Sequence, residues 1–297
     1  MKSWLRAVAF LFALLAVQAH AAGIPSASPA PSNIYSLDYT TAIQPTYETL
    51  AGKVSVSCAL TPGQTTLVLL IVGQSITADS APTPYTPTNA TAHQLNISDG
   101  NCYKAIDPLL NTTGQPPDGM TWGGSYPSRL ADNIITHAKF QRVIIVYADI
   151  GGTSVNDWSP LGPWSGRLRV ALLRIRSMGW VGSANVTFRA IYDQGQGDVA
   201  LGTSQAAWQA SFQQVKATIN AFGLGSPKIC MPNDTLFSGV QSPTIRAAQQ
   251  ASWDNVQVFS GGDFDTLTGT NRQADGTHPS DLGAANMAAK IEPCVAP

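Results

Sequence analysis

Five apolar runs, each about the length of one strand, constrain this chain more than any other feature: residues 67–72, 143–148, 186–192, 229–231 and 256–259. Strands wet on one side alternate apolar and polar residues. Near-continuous runs suit strands buried on both faces, as in a parallel sheet. Helical patterns separate and follow the runs, at residues 128–139, 166–178, 204–222, 243–251 and 281–291. The third is the clearest, with Ala207, Phe212, Val215 and Ile219 along one face and Ser204 as its N-cap. Strand–helix alternation of this kind predicts an α/β fold, a three-layer αβα sandwich around a mainly parallel, doubly wound central sheet. Ligands of such sheets bind beyond the carboxyl ends of the strands. Ser75 follows the first run, Gly151-Gly152-Thr153 the second and Gln194-Gly195 the third, so the unusual residues gather on one rim.

The N-terminus sets the compartment expected. Lys2 and Arg6 precede an apolar stretch over residues 7–17, which ends in Ala19-His20-Ala21. That is the pattern of a secretory signal peptide over residues 1–21, too short for a spanning helix. An Ala/Ser/Pro-rich leader over residues 22–33 comes next, then a segment of short alternating stretches over residues 34–64, expected to be extended and packed on the main domain of residues 65–297. No later stretch is long and apolar enough to cross a bilayer, so a secreted, soluble protein is expected. Cys58, Cys102, Cys230 and Cys294 make an even count, which in an exported chain suggests two disulfides with three possible connectivities. Their scattered spacing lacks the close pairs of a zinc site. No Gly-rich phosphate loop with lysine is present either, so no metal or cofactor is expected.

The formal net charge is −1, only 12% of residues are charged, and no Lys/Arg run occurs, which argues against nucleic acid or anionic membrane as partner. Low charge density with seven tryptophans suits neutral, hydroxyl-rich ligands. The stretch over residues 76–126, rich in Pro, Thr and Asn, is long enough to be a functional loop forming a cleft wall. Its sequons at Asn89, Asn96 and Asn111 matter only in a glycosylating host.

The chemistry-bearing segment is Asp275-Gly276-Thr277-His278-Pro279. An acid three residues before a histidine, in a turn made by glycine and proline, can orient and charge-stabilise the imidazole, which then serves as a general base. Pro279 also biases His278 toward extended backbone. The candidate nucleophile is Ser75 in Gly73-Gln74-Ser75, although Thr77 breaks the G-x-S-x-G pattern and a strand-ending serine alone more often caps a helix. Among other residues, His93 and His137 have no acid at a suggestive offset, and His137 reads as a helix C-terminal cation. Asp263 and Asp265 read as a surface turn rather than a calcium loop. Asp198 is a rival third member for the triad.

Four blocks together carry a resemblance: Gly73-Gln74-Ser75, Gly151-Gly152-Thr153-Ser154-Val155 with Trp158, Gln194-Gly195-Gln196-Gly197-Asp198, and Asp275 to His278. In this order they resemble the SGNH (GDSL-like) hydrolases, and most of all the branch with carbohydrate esterase family six and the sialate O-acetylesterase-like proteins. The resemblance spans most of the chain beyond its N-terminal segment and implies a flavodoxin-like sandwich. It implies Ser75 as nucleophile, His278 as base and Asp275 as its orienting acid. The implied oxyanion hole takes the Ser75 N–H, the Gly152 N–H and the Gln194 side-chain amide, with Gly124 as rival for the glycine and Gly151-Gly152 otherwise a mere turn. Gln74, Thr153 and Trp158 are the implied substrate contacts, Trp158 having a core role as its alternative. The chain departs from the pattern at Gln196, where the family has glutamate, and at Ile76, where it has asparagine. The function implied is a secreted, cofactor-free serine esterase that removes a small acyl group, acetyl above all, from an acylated polysaccharide or glycan. A lipolytic or aryl esterase and a carbohydrate-binding module without turnover are the rival readings.

Overall fold

The computed structural model describes residues 49–112 and 122–297. The expected signal peptide, the leader and residues 34–48 of the extended segment lie outside the described residues.

Among the described residues eight strands form one sheet in the order β1-β4-β3-β5-β2-β6-β7-β8. They are β1 (Ser55–Val56), β2 (Thr66–Gly73), β3 (Ala92–Leu95), β4 (Cys102–Lys104), β5 (Arg142–Asp149), β6 (Val186–Asp193), β7 (Lys228–Asn233) and β8 (Val258–Asp263). From β3 to β8 every neighbouring pair is parallel, while β4 and β1 close the far edge antiparallel. All eight residues of β2 and of β5 are buried, as unbroken apolar runs require.

Side chains alternate across the sheet and so feed two cores. Leu67, Leu69 and Ile71 join Val143, Ile145 and Tyr147 beneath α1 (Tyr126–Thr136) and α6 (Asp281–Val295). On the opposite face Tyr192 meets Trp208 and Phe212 of α4 (Gln205–Asn220), with ring centroids 6.3 and 4.9 Å away. There α2 (Ser165–Ser177) packs on α4, and α4 on α5 (Pro243–Ala251). Each such side chain contributes roughly 1.5–3 kcal/mol on burial. The result is the αβα sandwich the alternation predicts.

Several local expectations change. The stretch over 76–126 is not one loop, because β3 and β4 lie within it. β3 reads Ala-His-Gln-Leu, and it is its parallel pairing with β5, a non-local contact, that makes it a strand. A six-residue helix, α3 (Gln196–Leu201), starts straight after Gly195 and ends at Gly202, whose φ is +67°. In α4 the buried face is Trp208, Phe212, Val215 and Ile219; Ala207 is exposed, and its N–H is instead capped by Ser204. Val256 stays outside β8, 85% exposed, because Asp254 accepts from the N–H groups of Val256, Gln257 and Val258 and bends the chain there.

The cysteines pair as Cys58–Cys102 and Cys230–Cys294. The first ties the segment around β1 to β4. The second fastens α6 to β7, across 64 residues of chain. Closing a loop that long removes unfolded-state entropy worth roughly 4 kcal/mol in the chain-entropy model. It also secures the helix that follows the His278 segment.

Candidate active site

Gly73, the last residue of β2, pairs in register with Asp149 at the end of β5 and Asp193 at the end of β6. Three neighbouring strands therefore stop at one level, and the segments leaving them meet above it. Gly73 has no room for a side chain, since a Cβ there would lie 2.3 Å from Thr77 Oγ1 and 2.7 Å from the Asp193 carbonyl. The chain then turns at once: the Gln74 carbonyl accepts from the N–H groups of Thr77 and Ala78, both at 3.0 Å. Ser75 sits on that turn.

The second segment is folded on itself. Asp275 Oδ1 accepts from the N–H groups of Thr277 (2.9 Å) and His278 (3.0 Å), while Oδ2 lies 2.5 Å from His278 Nδ1. Burial pulls the Asp275 carboxyl upward, but these bonds, the imidazole's foremost, hold it below its ordinary value. A carboxylate only accepts, so Nδ1 carries the proton and Nε2 is left as an acceptor. Nε2 lies 2.9 Å from Ser75 Oγ, 203 residues away in sequence. Hydroxyl, imidazole and carboxylate form one hydrogen-bonded chain, with Asp275 in the third position. Asp198, the rival, accepts instead from the Val155 N–H (2.9 Å) and secures the Gly-Gly-Thr block.

Three residues that the motifs did not single out hold this geometry. Gln273 donates its N–H to the His278 carbonyl (2.8 Å), and its carboxamide donates to the carbonyls of Ser80 (2.6 Å) and Pro279 (2.9 Å). One side chain thus bridges the stretch after the serine and the stretch bearing the histidine. Arg272, 7% exposed, donates to the carbonyls of Thr277 (2.6 Å), Leu267 (2.8 Å) and Phe264 (2.8 Å), with Asp234 as its buried counter-charge at 3.5 Å. The Trp122 ring lies against the imidazole, centroids 4.6 Å apart. Sequence position beside the Asp275–His278 block is the one signal that marks Arg272 and Gln273.

The oxyanion-hole expectations fare unequally. Among the described residues the Ser75 and Gly152 N–H groups donate to no protein group, and Gly152 turns its backbone at φ +74° where glycine is favoured. Gln194 is corrected: its amide is turned to protein groups, donating to the Thr153 carbonyl and to Gln74 Oε1 (3.2 Å). Gly124 is corrected as well, since its N–H donates to the Ala81 carbonyl (2.9 Å) and a Cβ would fall 2.0 Å from the Thr83 carbonyl. The expected substrate contacts are buried structural groups. Gln74 donates to Gln196 Oε1 and accepts from the Gly197 N–H, so Gln196 locks the turn at the position where the resemblance implies a glutamate. Trp158, fully buried, donates from Nε1 to Thr153 Oγ1 (3.1 Å). Asp265 is no surface turn either: it is fully buried, accepts from the N–H groups of Thr235 and Leu236, and pairs with Arg246, which also holds Asp263. His137 meets Glu292 at 2.6 Å, and His93 Nδ1 accepts from Arg142 Nε (3.0 Å), with burial foremost pushing that imidazole down to about 4.

Four buried acids lie at or beyond the ends of the central strands. Burial pushes the Asp149 carboxyl up to about 8 and that of Asp198 up to about 6. Burial, then the neighbouring Asp234 carboxylate, drives Asp193 well above the usual range; Asp234 rises to about 6, with Arg272 restraining it. Each native site keeps a proton that the unfolded chain releases near the ordinary carboxylate value. Stability therefore declines as pH rises from that range toward 8. Thermal midpoints are expected to fall steadily between pH 5 and pH 8.5, and Asp149→Asn should shallow that slope. A midpoint that is flat or rises over the same interval contradicts this assignment.

No family model matches the sequence, and no curated protein is similar to it in sequence. Solved structures are similar in fold. A protein from Arabidopsis thaliana superposes with a TM-score of 0.56 at 12% identity, covering 78% of this chain and 98% of its own. NanS gives 0.55 at 13% identity over 80% of this chain and 98% of its own. A protein of Parabacteroides merdae described as a GDSL-like lipase gives 0.50 at 12% identity, over 78% and 96%. With its parallel sheet and these likenesses, the chain has the fold of the SGNH (GDSL-like) hydrolases.

Proposed function

We propose that this protein is an exported serine esterase that hydrolyses a small acyl ester, acetyl on a carbohydrate hydroxyl, with Ser75, His278 and Asp275 as its triad. The observation that carries the reading is the continuous hydrogen-bonded chain from Ser75 Oγ through the imidazole to Asp275. Its place beyond the carboxyl end of a central parallel strand supports it further, since ligands of such sheets bind there. The acetyl and carbohydrate specificity rests on the four-block resemblance. Export rests on the N-terminal pattern and is supported by the two disulfides.

The chemistry follows from the geometry. Ser75 Oγ attacks the ester carbonyl carbon while Nε2 takes the hydroxyl proton, and the carbonyl oxygen becomes an oxyanion between the Ser75 and Gly152 N–H groups. Preset donors of this kind each lower the barrier by about 3–4 kcal/mol. Asp275 stabilises the imidazolium without taking its proton. Collapse breaks the bond to the alkoxide, which leaves as the alcohol with the proton from Nε2. Water, deprotonated by the same nitrogen, then attacks the acyl-serine, and the acid is released with Ser75 restored.

Ser75→Ala is expected to bring p-nitrophenyl acetate hydrolysis down to background with an unchanged thermal midpoint; undiminished turnover rejects the nucleophile. Gln273 is a positioning residue, so Gln273→Ala should lower kcat roughly 10–100-fold, the scale on which misplaced reacting groups act, and leave KM where it was. A loss confined to KM, or none, removes Gln273 from that role.

A further inference from the structure

We propose that the tight hairpin over residues 237–240 is the subsite for the leaving alcohol, binding the apolar C–H face of a sugar ring through Phe237 and Val240. This rests on the esterase reading above and deepens it. The turn residues Ser238 and Gly239 have φ of +50° and +77°, the pair of left-handed residues that makes a two-residue hairpin turn. Phe237 and Val240 exchange both backbone bonds, at 2.9 and 3.0 Å. Residues directly opposed in this way project from the same face of a hairpin, so the two side chains form one patch. They are 39% and 68% exposed, respectively.

That patch is held fixed. At its root, Thr235 and Leu236 donate their N–H groups to buried Asp265. At its tip, the Ser238 N–H donates to Thr277 Oγ1 (2.8 Å) and the Gly239 N–H to the Gly276 carbonyl (3.1 Å). The contact is close enough that a Cβ on Gly276 would lie 2.7 Å from the Gly239 nitrogen. Apolar side chains left exposed on a turn this firmly tied lose little freedom when a ligand covers them, which is the economy of a preorganised site.

The reaction geometry says which half of the ester meets it. The oxyanion lies toward the Ser75 and Gly152 amides, whereas the leaving oxygen must come to His278 Nε2 to receive its proton. The alcohol therefore departs over the loop that carries the imidazole, and the hairpin is bonded to the two residues immediately before His278. An aromatic and a branched aliphatic side chain without a charge between them suit a neutral ring with a flat C–H face.

The test holds the acyl group constant and varies the alcohol. Ethyl acetate and a mono-acetylated methyl xyloside are compared on the full chain, on Phe237→Ala, on Val240→Ser and on Phe237→Trp, with thermal midpoints recorded. Phe237→Ala is expected to lower kcat/KM about tenfold on the xyloside ester through KM, within the range of one lost apolar contact, and to leave ethyl acetate unchanged. Val240→Ser should act in the same direction, and Phe237→Trp should keep xyloside activity. Equal losses on both esters, or no loss on the xyloside, overturn the subsite while leaving the esterase intact. A wild-type protein inert to both acetates overturns the esterase reading itself, and the subsite with it.

Discussion

The common register of β2 with β5 and β6 is the constraint from which the rest follows. Gly73, Asp149 and Asp193 stand side by side, so the turn bearing Ser75, the Gly151-Gly152 turn and the Gln194-Gly195 entry to α3 all leave the sheet at one level. The packing offers little latitude here, because slipping β2 by a residue would exchange its side chains between the two cores and take Leu67, Leu69 and Ile71 away from α1 and α6. The core thereby fixes the height of the serine above the sheet before any site residue contributes. Gly73 is part of that constraint, since the Thr77 side chain and the Asp193 carbonyl fill the space a Cβ would need.

The histidine has no such strand beneath it and is secured by polar groups instead. Arg272 ties its loop to three carbonyls and Gln273 bridges it to Ser80, while the Cys230–Cys294 bond anchors the helix that follows. These contacts lie among buried acids. Asp149 and Asp193 end β5 and β6, and burial keeps protons on them that water would remove, while Asp234, just past β7, is restrained by Arg272. The protein thus trades stability at alkaline pH for a rigid polar floor, a common bargain at sites where groups must be held in place.

The sequence was legible where the determining interactions are local or periodic. Apolar runs announced β2 and β5, and Asp275 with His278 three residues later in a Gly/Pro turn announced a paired imidazole. It was illegible where side-chain direction decides. Gln194 and Trp158 stand in the expected blocks, yet Gln194 spends its amide on Thr153 and Gln74, and Trp158 is buried with its indole N–H on Thr153. Trp122 carries no signature, and Gln273 none beyond its place beside the histidine block, because the roles they play depend on the His278 ring and the Ser80 carbonyl, far away in the chain. β3 was hidden for a related reason: its four residues become a strand only beside β5.

Everything functional depends on Ser75 and His278 being within reach of one another, and a crystal structure of the protein treated with diisopropyl fluorophosphate tests that most directly. The account predicts a single phosphoryl adduct on Ser75 Oγ, one of its oxygens between the Ser75 and Gly152 N–H groups, and the imidazole beside it hydrogen-bonded to Asp275. An unmodified Ser75 with His278 turned away from it, or an adduct on another residue, contradicts the account.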